Sequence, residues 1–310
     1  MNTLDQIFSV FFRSFRSISH PFHCGRGRLG GAFLCVALAA TAGCDLAKNP
    51  DEPTPVEPNV VIYDALGASD TIGIGSSAPC FPLDNCTTGP GYVQRVSRRL
   101  QSAGNEVSLR NLGVPGAVLS PDVQAAGNAL GLGILRNVLF DEAPYVRRTS
   151  TLATVFVGAN DANTVARTVR EGAGGGDRNA YIQQQIQDFA RDMRSFVTTV
   201  RGKSPTTKIV ALNLPNMAHT PYAAGRSLEE KQVLQQISVG FSAGINAMAA
   251  QGVTVIDLMC DANFYSPGTF SSDGFHPNDT GYAYMAELVY AAATASVPAP
   301  RSSCSFMVVY

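Results

Sequence analysis

The sequence predicts one three-layer α/β domain built on a five-stranded parallel sheet. Short apolar runs alternate along the chain with longer segments whose apolar residues recur at helical spacing. That alternation builds parallel strands covered by helices on both faces. The chain has 310 residues, 45% of them hydrophobic, enough for one large core. No repeat and no second domain is visible.

The strands come first. VVIYDAL (60–66) ends at Gly67, and EVSLRNLG (106–113), TLATVFVG (151–158), KIVALNLP (208–215) and VTVIDLM (253–259) follow. Between them, YVQRVSRRLQSAG (92–104) is helical and stops at Gly104. Residues 178–200 place Ile182, Ile186, Phe189, Met193, Phe196 and Val200 on one helical face. Residues 228–252 do the same with Val233, Ile237, Phe241, Ile245 and Met248, and residues 278–295 form the last helix. In open parallel sheets, ligands bind beyond the carboxyl ends of the strands. Polar residues just after each strand are therefore the first candidates for a site.

Composition excludes several classes. With 15% charged residues and a net charge of −1, the chain is neither disordered nor basic enough to suggest a nucleic-acid partner. No apolar run reaches the ~20 residues of a spanning helix. C-x-x-C and H-E-x-x-H spacings are absent, so no zinc-type metal site is expected.

Residues 1–43 read as an address. Arg26 and Arg28 precede the apolar stretch LGGAFLCVALAATAG (29–43), as in a secretory signal. Thr41-Ala42-Gly43-Cys44 resembles the bacterial lipobox, with Thr41 in place of the usual Leu. That resemblance implies cleavage before Cys44 and lipidation of its thiol. The expected location is the cell envelope, with the membrane contacted through the lipid alone. Residues 44–58 carry four prolines and suit an extended tether. The catalytic domain is expected over 59–298, with a short C-terminal tail at 299–310.

Beyond the leader and Cys44, four cysteines remain: Cys80, Cys86, Cys260 and Cys304. An even count in an exported protein suggests two disulfides. Three pairings are possible. Cys80–Cys86 with Cys260–Cys304 is preferred because the first pair is close in sequence.

The strand ends carry the parts of an acyl-transfer site. Gly67-Ala68-Ser69-Asp70 follows the first strand and Gly113-Val114-Pro115-Gly116 the second. Gly158-Ala159-Asn160-Asp161 follows the third, and Asp273-Gly274-Phe275-His276 precedes the last helix. A serine hydroxyl needs an adjacent base to act as a nucleophile. Beyond the leader only His219 and His276 are available. Asp273, three residues before His276, can orient its imidazole. Gly116 offers an unobstructed backbone N–H, and Asn160 an amide, to a developing oxyanion. Such acyl-transfer chemistry needs no metal or organic cofactor.

These four segments, in this order, resemble the SGNH hydrolases, the GDSL-like lipase/esterase family, over essentially residues 60–295. The resemblance implies a flavodoxin-like sheet of order 2-1-3-4-5 and ester hydrolysis through an acyl-enzyme. Ser69, Asp273 and His276 would be the catalytic residues. The oxyanion hole would be the N–H groups of Ser69 and Gly116 with the Asn160 amide. The substrate would be a lipid, an acetylated polysaccharide or a small acyl ester. One departure stands out: the usual G-D-S-L reads Gly67-Ala68-Ser69-Asp70. Asp70 could repel an oxyanion or take over local hydrogen bonding.

Alternative functions are an O-acyltransferase on the same site and a non-catalytic glycan- or lipid-binding lipoprotein. A competing nucleophile is Ser242, within the G-x-S-x-G of Gly240–Gly244. It lies in a helix-periodic stretch, whereas such an elbow needs a preceding strand. His219 is either a cleft residue or a loop histidine. Asp161 is expected to cap a helix, Gly172–Gly176 to form a turn, and the sequons at Asn85 and Asn278 to carry no glycan.

Overall fold

The computed structural model describes residues 59–80 and 86–310. The signal segment 1–43, Cys44, the tether to residue 58 and the Asn85 sequon lie outside the described residues. Five strands form one parallel sheet: β1 (Val60–Gly67), β2 (Glu106–Asn111), β3 (Leu152–Phe156), β4 (Lys208–Leu212) and β5 (Thr254–Ile256). Their order is β2-β1-β3-β4-β5. The register pairs Ala65 with Asn111 and Gly67 with Phe156. The carboxyl ends of β1, β2 and β3 thus emerge side by side, with the polar residues that follow them.

Among the described residues there are seven α-helices: α1 (Tyr92–Ser102), α2 (Pro121–Ala129), α3 (Val138–Asp141), α4 (Ala159–Arg170), α5 (Arg178–Lys203), α6 (Leu228–Asn246) and α7 (Asp279–Thr294). α1 packs on α7, and α6 packs on both α4 and α5. All five residues of β3 are buried, as expected for a central strand covered on both faces. β2, at the edge, alternates exposed and half-buried positions.

Helical periodicity located α5 and α6. Ile182, Phe189, Met193, Phe196 and Val200 are fully buried, and Phe189 stacks on Phe241 of α6 with centroids 4.0 Å apart. α6 opens with a reciprocal cap in which Ser227 and Glu230 each accept the other's backbone N–H. The stretch 228–252 is one α-helix only to Asn246; residues 247–251 tighten into a 3-10 turn that stops at Gly252. The α2, α3 and α4 helices were not found from periodicity. Each is short or mixed with polar residues, and tertiary contacts hold it rather than a long apolar stripe.

Gly240 and Gly244 lie in the middle of α6. A Cβ on Gly240 would come within 2.4 Å of Ile186, and one on Gly244 within 3.1 Å of Ala190. These glycines let α5 and α6 approach closely. Ser242 between them is buried, its hydroxyl donating to the Leu214 carbonyl at 2.6 Å. No nucleophile elbow exists here.

Cys260 is joined to Cys304, and Cys80 to Cys86, with Cα atoms 5.7 and 5.5 Å apart. Beyond the disulfide the C-terminal residues run onto α6, where the Gln235 side chain accepts the N–H groups of Val309 and Tyr310. Phe306 stacks on Tyr265 at 4.5 Å. The tail is therefore held at Cys304, at Phe306 and at its last two residues. No helix among the described residues is long and apolar enough to cross a membrane.

Candidate active site

β1 delivers Ser69. Gly67 closes the strand with φ +139, and a Cβ there would sit 2.4 Å from the Phe156 carbonyl oxygen, so only glycine fits. The chain then makes one 3-10 turn, Ser69–Ile72, which stops at Gly73 in the left-handed region. Ser69 is buried, and its Oγ lies 2.8 Å from His276 Nε2. His276 Nδ1 lies 2.6 Å from Asp273 Oδ2. The other oxygen of Asp273 accepts the N–H groups of Phe275 and His276 and the Ser271 hydroxyl, at 2.8, 2.9 and 2.7 Å. One carboxylate thus shapes its own turn and aims the imidazole. Gly274, at φ +68, lies where a Cβ would come within 2.8 Å of the Pro221–Tyr222 backbone.

Electrostatics follow from these contacts. Burial works against the charge on Asp273, but the hydrogen bonds and charge of His276 outweigh it and hold the carboxyl well below its usual range. Burial likewise opposes protonation of His276. The Asp273 hydrogen bond and the charges of Asp70 and Asp273 overcome that and raise its pKa above 6.5.

Asp70 is buried, next to Ser69 in the chain. Burial raises its pKa, and the charge of His276 opposes the rise. The Tyr282 hydroxyl, which also donates to the Ile74 carbonyl at 2.5 Å, lies 3.4 Å from Asp70 Oδ1. Asp70 and Asp273 are thus the two acidic groups whose charges favour the protonated imidazole. A base must be neutral to accept the serine proton, so activity should fall as pH drops through the pKa of His276. The acid limb of kcat/KM is expected above pH 6.5. Asp70→Asn removes one of the charges that raise this pKa, so the limb should move to lower pH; an unmoved limb would show that Asp70 does not couple to His276.

The other predicted donors sit on neighbouring strand ends. Gly116 adopts φ +77 in the loop after β2. The Asn160 amide donates to the carbonyl of Ala117, the next residue, at 2.9 Å. That bond uses one amide proton and leaves the other for a ligand. Asp161 lies in the first turn of α4, whose N-cap Gly158 has no side chain to cap it. Its carboxylate also accepts the N–H groups of Leu119 and Ser120 and so clamps the far end of the Gly116 loop. Burial pushes its pKa up to about 7 against those hydrogen bonds.

Glu142 was missed by sequence reasoning. It is 1% exposed, and its Oε2 accepts the Gly67 N–H at 2.8 Å, two residues before Ser69. Its other oxygen has no partner among the described residues, and burial raises its pKa well above the carboxylate range. Nothing in Asp141-Glu142-Ala143-Pro144 signals this; only the approach of α3 to β1 creates it.

His219 is exposed and packs against Tyr265 and Phe306, with centroids 5.2 and 5.5 Å away. The Asn278 side chain caps α7, accepting the N–H groups of Thr280 and Gly281. Gly172–Gly176 form the turn between α4 and α5. Among the described residues no three His, Cys, Asp or Glu side chains gather as a metal site.

The family model of the GDSL-like Lipase/Acylhydrolase family matches residues 65–284, which span every segment described above. The chain belongs to that family. It is an ester hydrolase of the SGNH/GDSL type. Its fold is similar to that of the lipase Lip_vut3 from a goat rumen metagenome, with 20% identity, a TM-score of 0.51 and coverage of 76% of this chain and 98% of that one. A phospholipase A1 from Streptomyces albidoflavus is 17% identical, with a TM-score of 0.49 and coverage of 74% and 98%. An acetyl xylan esterase from Geobacillus stearothermophilus is 13% identical, with a TM-score of 0.48 and coverage of 79% and 98%. The search of curated protein sequences finds no match.

Proposed function

We propose that this GDSL-family protein is a serine carboxylesterase that works through a Ser69–His276–Asp273 triad and an acyl-enzyme. The observation that carries this is His276 bridging Ser69 Oγ and Asp273 Oδ2 at 2.8 and 2.6 Å. His276 Nε2 takes the Ser69 proton as Oγ attacks the ester carbonyl. The oxyanion is held by the N–H groups of Ser69 and Gly116 and the free Asn160 amide proton. Collapse expels the alcohol, which leaves with the proton from His276. Water, deprotonated by the same imidazole, then attacks the acyl-enzyme and frees the acid and Ser69. Asp273 keeps the Nδ1 proton in place and stabilises the imidazolium. The test is a fluorophosphonate probe: it should label Ser69 and leave Ser242 unmodified, and a labelled Ser242 peptide would overturn the assignment.

Asn160→Ala removes a donor that tightens as charge develops. It should lower kcat by roughly 10²–10³ with little change in KM. A raised KM with unchanged kcat would make Asn160 a ground-state binding residue instead.

We further propose that Cys44 carries the lipid that holds the enzyme at the cell envelope, with residues 45–58 as its tether. The support is the basic, apolar and small-residue order of residues 26–44. Mass spectrometry of the membrane fraction should find a diacylglyceryl group on an N-terminal Cys44; an unlipidated mature N-terminus would refute it.

A further inference from the structure

A small recess opens beside the triad. Its walls include Asp70, Ala159, Phe275 and Pro277, the direct chain neighbours of Ser69, Asn160 and His276. Met217, Thr220 and Phe264 also line it. The lining is mostly apolar, and the free space holds one or two water-sized groups.

The walls cannot readily retreat. Phe264 packs edge-on against Phe270 at 5.5 Å, and both are buried. Phe275 packs edge-on against Tyr222 at 4.9 Å, while the Tyr222 N–H donates to the Gly274 carbonyl at 3.0 Å. The segment carrying Met217 is thereby tied to the segment carrying His276. Behind Phe264, the Tyr265 hydroxyl donates to the Met259 carbonyl at 2.9 Å and accepts the Asn216 N–H at 2.7 Å. Phe306 covers the Tyr265 ring, and the Cys260–Cys304 disulfide fastens the tail that carries Phe306. A close-packed wall braced from both sides does not swell to admit added methylenes.

We infer that this recess is the acyl-binding pocket and that it restricts the enzyme to short acyl groups, acetyl and propionyl, on whatever alcohol bears them. The inference rests on the triad reading, since it takes Ser69 as the acylated atom. Its physical basis is asymmetric: an apolar pocket gains modestly from each methylene that fits, and one that does not fit must displace packed side chains.

The test is kcat/KM of the full chain on nitrophenyl esters of acetate, butyrate, octanoate and dodecanoate. Acetate should be favoured, with a fall of about tenfold or more by octanoate. Met217→Ala enlarges the recess without touching Ser69, His276 or Asn160, and should raise the butyrate-to-acetate ratio by about tenfold. Octanoate turned over as well as acetate by the wild-type enzyme would overturn the inference. So would an unchanged chain-length profile in a folded Met217→Ala. The wild-type profile stands as a test even if that variant fails to fold. Failure of the triad reading shows separately, as esterase activity that survives in Ser69→Ala.

Discussion

Replacing Ser69 with alanine is expected to lower kcat on an acetyl ester by about 10⁶, the scale seen when a triad serine is lost. In the proposed mechanism the whole chemical route runs through Oγ, whose hydrogen-bonded neighbour is His276 Nε2 at 2.8 Å. Little of the fold depends on that hydroxyl, because backbone hydrogen bonds such as Thr71 N–H to the Ala68 carbonyl hold the turn. The melting temperature should therefore stay near that of the wild type while turnover and fluorophosphonate labelling vanish. Ser242→Ala is the contrast: it loses one hydrogen bond from α6 to the Leu214 carbonyl and should keep most of the activity. Full turnover in Ser69→Ala would end the triad assignment.

Asp273→Asn should cost about 10⁴ in kcat, as the same exchange does in a serine protease. The asparagine Oδ1 can still accept the N–H groups of Phe275 and His276, so the turn should persist. The change falls on the other atom. An amide N–H₂ facing His276 Nδ1 donates instead of accepting, which drives the imidazole proton to Nε2. An Nε2 that already bears its proton cannot take the one on Ser69. The check is kcat, expected to collapse, beside a near-wild-type melt and an unchanged KM. A loss below tenfold would mean that Asp273 serves the turn alone.

How much of this was legible varied by residue, for physical reasons. Ser69, Asn160, Asp273 and His276 were legible because strand ends in parallel sheets collect ligands and because short motifs mark those ends. The order β2-β1-β3-β4-β5 came from family resemblance, since periodicity locates strands but not their neighbours. The distant partners of Asp161 were not legible: Leu119 and Ser120 lie more than forty residues away along the chain. Glu142 gave no signal. Its function is a single buried contact with Gly67, set by how α3 approaches the end of β1.

The sequence by itself determined the α/β class, the five strands, the long apolar helices and the residue types that the chemistry needs. These follow from local periodicity and from chemistry carried within a few residues, as in Asp273-Gly274-Phe275-His276. Only the tertiary structure decided which groups meet. It buried Asp70, clamped the Gly116 loop with Asp161 and braced the recess with the C-terminal tail. Those contacts join segments far apart in the chain, and their energies depend on burial and distance, which exist only once the chain has folded.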